Sequence, residues 1–241
     1  MTPLIAARGL VKRYGGRAVV DGIDVDVYPG EVLAVIGPNG AGKSTTLEMI
    51  LGLRGADGGS VTYWTGGPRR REDPGRWMGV QLQDTPFFPG LTAAENLQVF
   101  AAFYGVRVTR QRLDDILAAC GLAEAAHTEA ARLSGGQQKR LAIAAALVHQ
   151  PKVVFLDEPT AALDPAARRE IRMLIRRISR SGTAVVFTSH DMEEVEKVAD
   201  RVMFVSGGRV RAAGTPQALT AAYGVADLDE LYMKLAVEEV S

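Results

Sequence analysis

The chain is 241 residues long and 47% hydrophobic, room for one large α/β domain or two small ones around a buried core. Its 28 basic and 28 acidic residues cancel, which argues against nucleic acid as a partner. The longest apolar run, residues 141–148, is far short of the roughly 18 to 20 residues that cross a bilayer, and no signal-peptide pattern opens the chain. Cys120 is the lone cysteine, so no internal disulfide forms, and a reducing, cytoplasmic setting is expected. Any membrane role then comes through a partner.

Ile23, Val25 and Val27 alternate with Asp24 and Asp26, a half-buried strand with one wet face. Together with residues 4–14 it predicts an antiparallel β region at the start. Residues 32–36 are a continuous apolar run ending at Gly37, the pattern of a central buried strand. A helix is expected over 43–53. Residues 55–78 are rich in Gly, Arg and Pro, with a short strand expected over 61–64. The Arg69-Arg70-Arg71 run within them has no interleaved aromatics and reads as a solvated loop.

From about 84 to 150 the pattern turns helical. Thr92 and Glu95 form a capping box ahead of Leu97. Leu113, Ile116, Leu117 and Cys120 have helical spacing that stops at Gly121. A further helix is expected over 135–148. Strand patterns return at 153–157, 183–189 and 201–205. Asp164-Pro165 reads as the N-cap and first residue of a helix to about residue 180, and 227–240 as a final amphipathic helix. Strands alternating with helices predict an α/β fold with a mainly parallel core sheet and an inserted helical subdomain.

Gly37-Pro38-Asn39-Gly40-Ala41-Gly42-Lys43-Ser44 fits the phosphate-binding loop G-x-x-x-x-G-K-[ST] at every fixed position. It also sits where that loop belongs, between a buried strand and a helix, which makes the fold class a P-loop NTPase. ATP concentrates several negative charges in a small volume. Backbone N–H groups over Asn39, Gly40, Ala41, Gly42, Lys43, Ser44 and Thr45, at a helix N-terminus, suit those phosphates. Lys43 is expected to reach the β- and γ-phosphates, and the Ser44 hydroxyl to bind Mg²⁺. The apolar run 153–156 ends in Asp157, the Walker B pattern. A sheet strand there carries Asp157 to its C-terminal edge, where it would hold Mg²⁺ through water. Glu158, one residue on, is suited to polarise an attacking water.

Leu133-Ser134-Gly135-Gly136-Gln137 is a second anion-binding pattern, a hydroxyl and two glycines at the start of a helix. One ATP has one γ-phosphate, so two such sites in one monomer are redundant. A two-fold dimer removes the redundancy, each chain's Ser134, Gly135, Gly136 and Gln137 closing on the nucleotide held by the other. The phosphate loop, LSGGQ, Asp157-Glu158 and a later histidine together resemble the ATP-binding subunit of an ATP-binding-cassette (ABC) transporter, over nearly the whole chain. Gln137-Gln138-Lys139-Arg140 also matches the family's continuation of the signature.

The resemblance implies further roles. Tyr14 stands where the family stacks an aromatic on adenine, and Val19 near the position that lines the base. Gln83 fits the Q-loop glutamine that touches Mg²⁺ or water, with Gln81 as the competing choice. Asp164 fits the D-loop contact at the subunit interface, although Ala161 stands where a serine is commoner. His190 stands where the switch histidine meets the γ-phosphate. The implied division is one ABC ATPase domain over 1–241. Its nucleotide-binding core would span 1–83 and 151–213, its helical signature subdomain 84–150 and its C-terminal extension 214–241. Phe87-Phe88-Pro89 either covers the helical insertion or docks a membrane subunit.

The implied function is hydrolysis of ATP, with Mg²⁺, to drive transport through integral membrane permease subunits. The implied assembly is a homodimer or pseudo-dimer, peripheral on the cytoplasmic face of the cell membrane. Residues 79–92 and 227–235 are similar to ATP-binding subunits of the ABC-2 export group, which serve drug, antibiotic, lipid or polysaccharide export. An importer ATPase and a soluble ABC protein acting on nucleic acid or the ribosome are the alternatives. A regulator without hydrolysis is disfavoured by the presence of both Glu158 and His190.

Overall fold

The computed structural model describes residues 1–64, 74–82 and 87–237. Gln83 and the Arg69-Arg70-Arg71 run lie outside the described residues. Near the N-terminus, β1 (Ile5–Tyr14) pairs antiparallel with β2 (Arg17–Val27) and with β4 (Gly58–Tyr63). The alternation in β2 buries Ile23, Val25 and Val27, as the sequence pattern predicts.

A second, six-stranded sheet has the order β5-β6-β7-β3-β8-β9. It comprises β3 (Val32–Ile36), β5 (Met78–Gln81), β6 (Val153–Leu156), β7 (Ala184–Thr188), β8 (Arg201–Ser206) and β9 (Arg209–Gly214). All pairs are parallel except β8 with β9. Every residue of β3, β6 and β7 is buried, which is why these strands read as unbroken apolar runs.

Successive residues of the central strands face opposite layers. Val32, Ala34, Val154, Leu156, Val185 and Phe187 join a core with α4 (Gly135–Leu147), α5 (Pro165–Arg180) and α6 (Met192–Val198). Leu33, Val35, Val153, Phe155 and Val186 face the antiparallel sheet and α1 (Lys43–Ile50). A fully buried side chain such as Phe187 contributes roughly 1.5–3 kcal/mol, so this two-sided burial fixes where the strand ends lie.

The inserted helical region holds α2 (Ala93–Phe103), α3 (Arg110–Ala119) and α4. The predicted capping box opens α2: Thr92 N–H donates to Glu95 Oε2 at 2.8 Å and Glu95 N–H to Thr92 Oγ1 at 3.3 Å. Phe87 is half-buried against this region's core. Phe88 packs on Phe100 and Phe103, with ring centroids 6.2 and 6.0 Å apart. Phe103 remains 70% exposed.

The structure adds α6, β9 and α7 (Pro216–Tyr223), which the sequence reading does not predict. It starts β4 three residues early and ends α1 at Ile50, where Gly52 turns the chain with φ 73°. The final helix, α8, spans Leu228–Val237.

Candidate functional site

The phosphate loop joins the C-terminal end of β3 to α1. Gly42 is the N-cap residue of α1, with φ 99°, and no side chain caps the helix. A Cβ at Gly42 would stand 2.5 Å from the carbonyl oxygen of Val19, so the loop can pass this close to β2 only as glycine. Val19 therefore abuts the loop through its backbone while its side chain is half-buried. Thr46 Oγ1 donates to Gly42 O at 2.8 Å and pins the first turn.

Lys43 folds back onto its own loop, its Nζ donating to Gly37 O at 2.7 Å and Pro38 O at 3.0 Å. Burial pushes its pKa below the ordinary lysine value, and the nearby charges of Glu158 and Asp157 act against that shift. A desolvated ammonium held only by neutral carbonyls has much to gain from an anion.

Asp157 and Glu158 follow β6 at the sheet's C-terminal edge. A small cavity is lined by Ser44, Glu48, Gln81, Leu82 and Asp157, which brings together Ser44 and Asp157, two of the three predicted metal-binding residues. Gln81 is buried there, and its carbonyl accepts from Asp157 N–H at 2.9 Å. Gln83, the preferred Q-loop residue, lies outside the described residues.

Glu158 has φ 43°, a left-handed backbone rare for a residue with a side chain. His190 Nδ1 lies 3.2 Å from Glu158 Oε1, a hydrogen bond when Nδ1 carries the proton, and the imidazole is 68% exposed. The nearest polar support is Thr188, at the end of β7. Its Oγ1 donates to Asp157 Oδ1 at 2.6 Å and accepts from Glu158 N–H at 3.0 Å.

The signature residues form a second cluster. Ser134 is the N-cap of α4. Its Oγ accepts from Gln137 N–H at 3.3 Å, and Gln137 Oε1 accepts from Ser134 N–H at 2.9 Å. Gly136 lets α4 approach α5 closely: a Cβ there would stand 2.9 Å from Ala167 Cβ. Gly135 faces Leu163. Asp164 caps α5, Oδ1 accepting from Ala166 N–H at 2.9 Å and Ala167 N–H at 3.0 Å. The Ala167 bond leads the causes that hold the Asp164 carboxyl below the usual range. Signature and D-loop residues thus adjoin within one chain.

Tyr14 is 43% exposed, with Arg54 and Lys12 about its ring at 5.6 and 5.8 Å from the centroid; Arg54 also bonds its hydroxyl. Cys120 is buried, its thiol pushed up to about 12, which leaves no nucleophilic thiolate near neutral pH.

Sequence reasoning missed Thr188, Thr160 and Glu194. Thr160 Oγ1 and Ser189 Oγ both donate to Glu194 Oε2, at 2.6 and 2.8 Å, tying the segment after Glu158 to the one that carries His190. Burial pushes the Glu194 pKa up. A hydroxyl ending the apolar run 185–187 was the available signal for Thr188.

A phosphate loop and an acid pair at the C-terminal edge of a mainly parallel sheet define an ATP-hydrolysing protein of the P-loop class. Residues 20–161 match the profile of the ABC transporter family. The chain is 36% identical over 234 residues to a Nod factor export ATP-binding protein I of Ralstonia nicotianae, covering 96% of this chain and 73% of that protein. It is 36% identical over 226 residues to the linearmycin resistance ATP-binding protein LnrL of Bacillus subtilis, covering 92% and 72%. Among solved structures, an ATP-binding subunit of an ABC transporter superposes with a TM-score of 0.83 at 28% identity, covering 96% of this chain and 99% of that one. The cbiO1 protein of Clostridium perfringens, part of the cbiONQ transporter complex, gives 0.83 at 28% identity over 92% of each chain. The chain belongs to the ABC transporter family, as an ATP-binding and ATP-hydrolysing subunit.

Proposed function

We propose that this subunit is the motor of an export system, hydrolysing ATP in a two-fold dimer that drives separate membrane subunits. The observation that carries the chemistry is the meeting of Glu158 and His190 at 3.2 Å, beside a phosphate loop whose Lys43 has only backbone carbonyls as hydrogen-bond partners among the described residues.

In this reading Lys43 leaves Gly37 O and Pro38 O for the β- and γ-phosphates, and the N–H groups of residues 39–45 close around them. Ser44 and Asp157, with Gln83, would hold Mg²⁺, which when bound would supply positive charge to the reacting phosphates. Among the described residues no three His, Cys, Asp or Glu are grouped to hold a metal alone, which suits an ion arriving with the nucleotide. Glu158 draws a proton from the attacking water and His190 reaches the γ-phosphate. Tyr14 stacks on the base and the Val19 segment flanks it. Ser134, Gly135, Gly136, Gln137 and Asp164 act across the dimer, on the nucleotide of the other subunit.

Export is supported by the relatives whose names state Nod factor export and linearmycin resistance. The place of cbiO1 in a transporter complex supports assembly with further subunits. No helix among the described residues is long and apolar enough to cross a membrane, and in this reading separate permease subunits carry the cargo. Their contact would draw on Phe88 and Phe103, the exposed aromatics of the helical subdomain, and would hold the protein at the cytoplasmic face.

Glu158→Gln is expected to keep ATP binding and to cut turnover by about 10² to 10⁴, the usual worth of a general base. Near-normal turnover would remove Glu158 from this role.

A further inference from the structure

We infer that Thr188 is a positioning residue for hydrolysis, its one hydroxyl fixing the metal-side carboxylate of Asp157 and the water-side residue Glu158 relative to each other. The inference rests on the roles proposed above for those two acids. Thr188 ends β7 and is 1% exposed. The β6–β7 register ends with Leu156 paired to Phe187, so Asp157 and Thr188 are the residues that follow this last pair at the C-terminal edge.

The hydrogen bonds leave no choice of direction. A carboxylate only accepts and a backbone N–H only donates, so the Thr188 proton goes to Asp157 Oδ1, at 2.6 Å, and a lone pair to Glu158 N–H, at 3.0 Å. One lone pair of Asp157 Oδ1 is thereby used within the protein. Oδ2 accepts no hydrogen bond among the described residues, so it would be open to a metal ion or its water.

The second bond bears on Glu158, whose left-handed backbone persists only where its surroundings hold it. Turning that residue back would carry its carboxylate away from His190. The neighbouring hydroxyl behaves otherwise: Ser189 bonds Glu194, which also receives Thr160, and touches neither Asp157 nor Glu158. Of the two adjacent hydroxyls, Thr188 alone faces the acid pair.

The test uses the full chain with Thr188→Val, which keeps the shape and removes the hydroxyl, beside Thr188→Ser, which keeps the hydroxyl. Thr188→Val is expected to lower kcat by about 10- to 100-fold, the usual effect of removing a group that orients a metal ligand. The Mg²⁺ concentration for half-maximal turnover should rise with it, while magnesium-free ATP binding stays unchanged. Thr188→Ser should remain within about 3-fold of the unsubstituted chain, because its hydroxyl can make both bonds.

A Thr188→Val protein with unchanged kcat and Mg²⁺ response overturns the inference. So does an equal loss in both variants, or a loss of magnesium-free ATP binding. Glu158→Gln measured in parallel separates the levels. Full turnover in Glu158→Gln sinks the reading of the site, whereas a normal Thr188→Val beside an inactive Glu158→Gln sinks this inference alone.

Discussion

Two helix N-termini in this molecule carry anion-binding sequences, and they are finished differently. Helix α1 begins at Gly42 with no side-chain cap, next to a half-buried lysine that has only loop carbonyls for hydrogen-bond partners among the described residues. Helix α4 begins at Ser134 with a closed capping box, in which Ser134 and Gln137 satisfy each other. The first end is incomplete within its own chain and gains directly from a phosphate. The second end engages Ser134 N–H and Gln137 N–H within its own chain, and leaves the Ser134 hydroxyl proton and the N–H groups of Gly135 and Gly136 as its donors to an anion. The contrast suits a loop that holds nucleotide in each chain and a signature that engages only on closure.

The sharpest way to break that contrast is to obstruct the capped end alone. Ser134→Arg is expected to lower turnover by about 10²-fold or more, the scale of a lost charge-stabilising donor, while the ATP Kd of the chain stays nearly unchanged. Losing the cap costs about 1 kcal/mol, small beside a domain stability of roughly 5–15 kcal/mol, so the variant should fold. Nucleotide titration beside an ATPase assay decides it. A matching loss of binding would mean that Ser134 serves its own chain's nucleotide.

A smaller effect is expected at Tyr14, whose ring lies exposed between Lys12 and Arg54. Tyr14→Ala should raise the KM for ATP with little change in kcat, the mark of lost uniform binding. An unchanged KM would make Tyr14 a packing residue for those cations and sharpen the site to the phosphates.

Most of the sheet's centre and the loop chemistry could be read in the chain because local and tertiary signals agree there. Residues 32–36 and 153–156 are apolar throughout, 184–188 is apolar up to the closing Thr188, and all three are strands buried on both faces. Asp164-Pro165 and Thr92–Glu95 announce the starts of α5 and α2 by capping chemistry alone. By contrast, β9 is an edge strand carrying Arg209 and Arg211 and takes its form from pairing with β8. Helix α6 is seven residues long and depends on Met192, Val195 and Val198 packing into the core.

The same division holds at the candidate site. Lys43, Asp157 and Ser134 stand in motifs, whereas Thr188 gains its place only through the register between two strands distant in sequence. No local pattern encodes that register.

The most direct test of the account is the mass of purified Glu158→Gln protein by light scattering, with and without Mg-ATP. Two nucleotides enclosed between one chain's loop and the other's signature predict a shift from monomer to dimer when Mg-ATP is added. A monomer under both conditions, including in the presence of the co-purified membrane subunits, would contradict the dimer and return Ser134 to a plain helix cap.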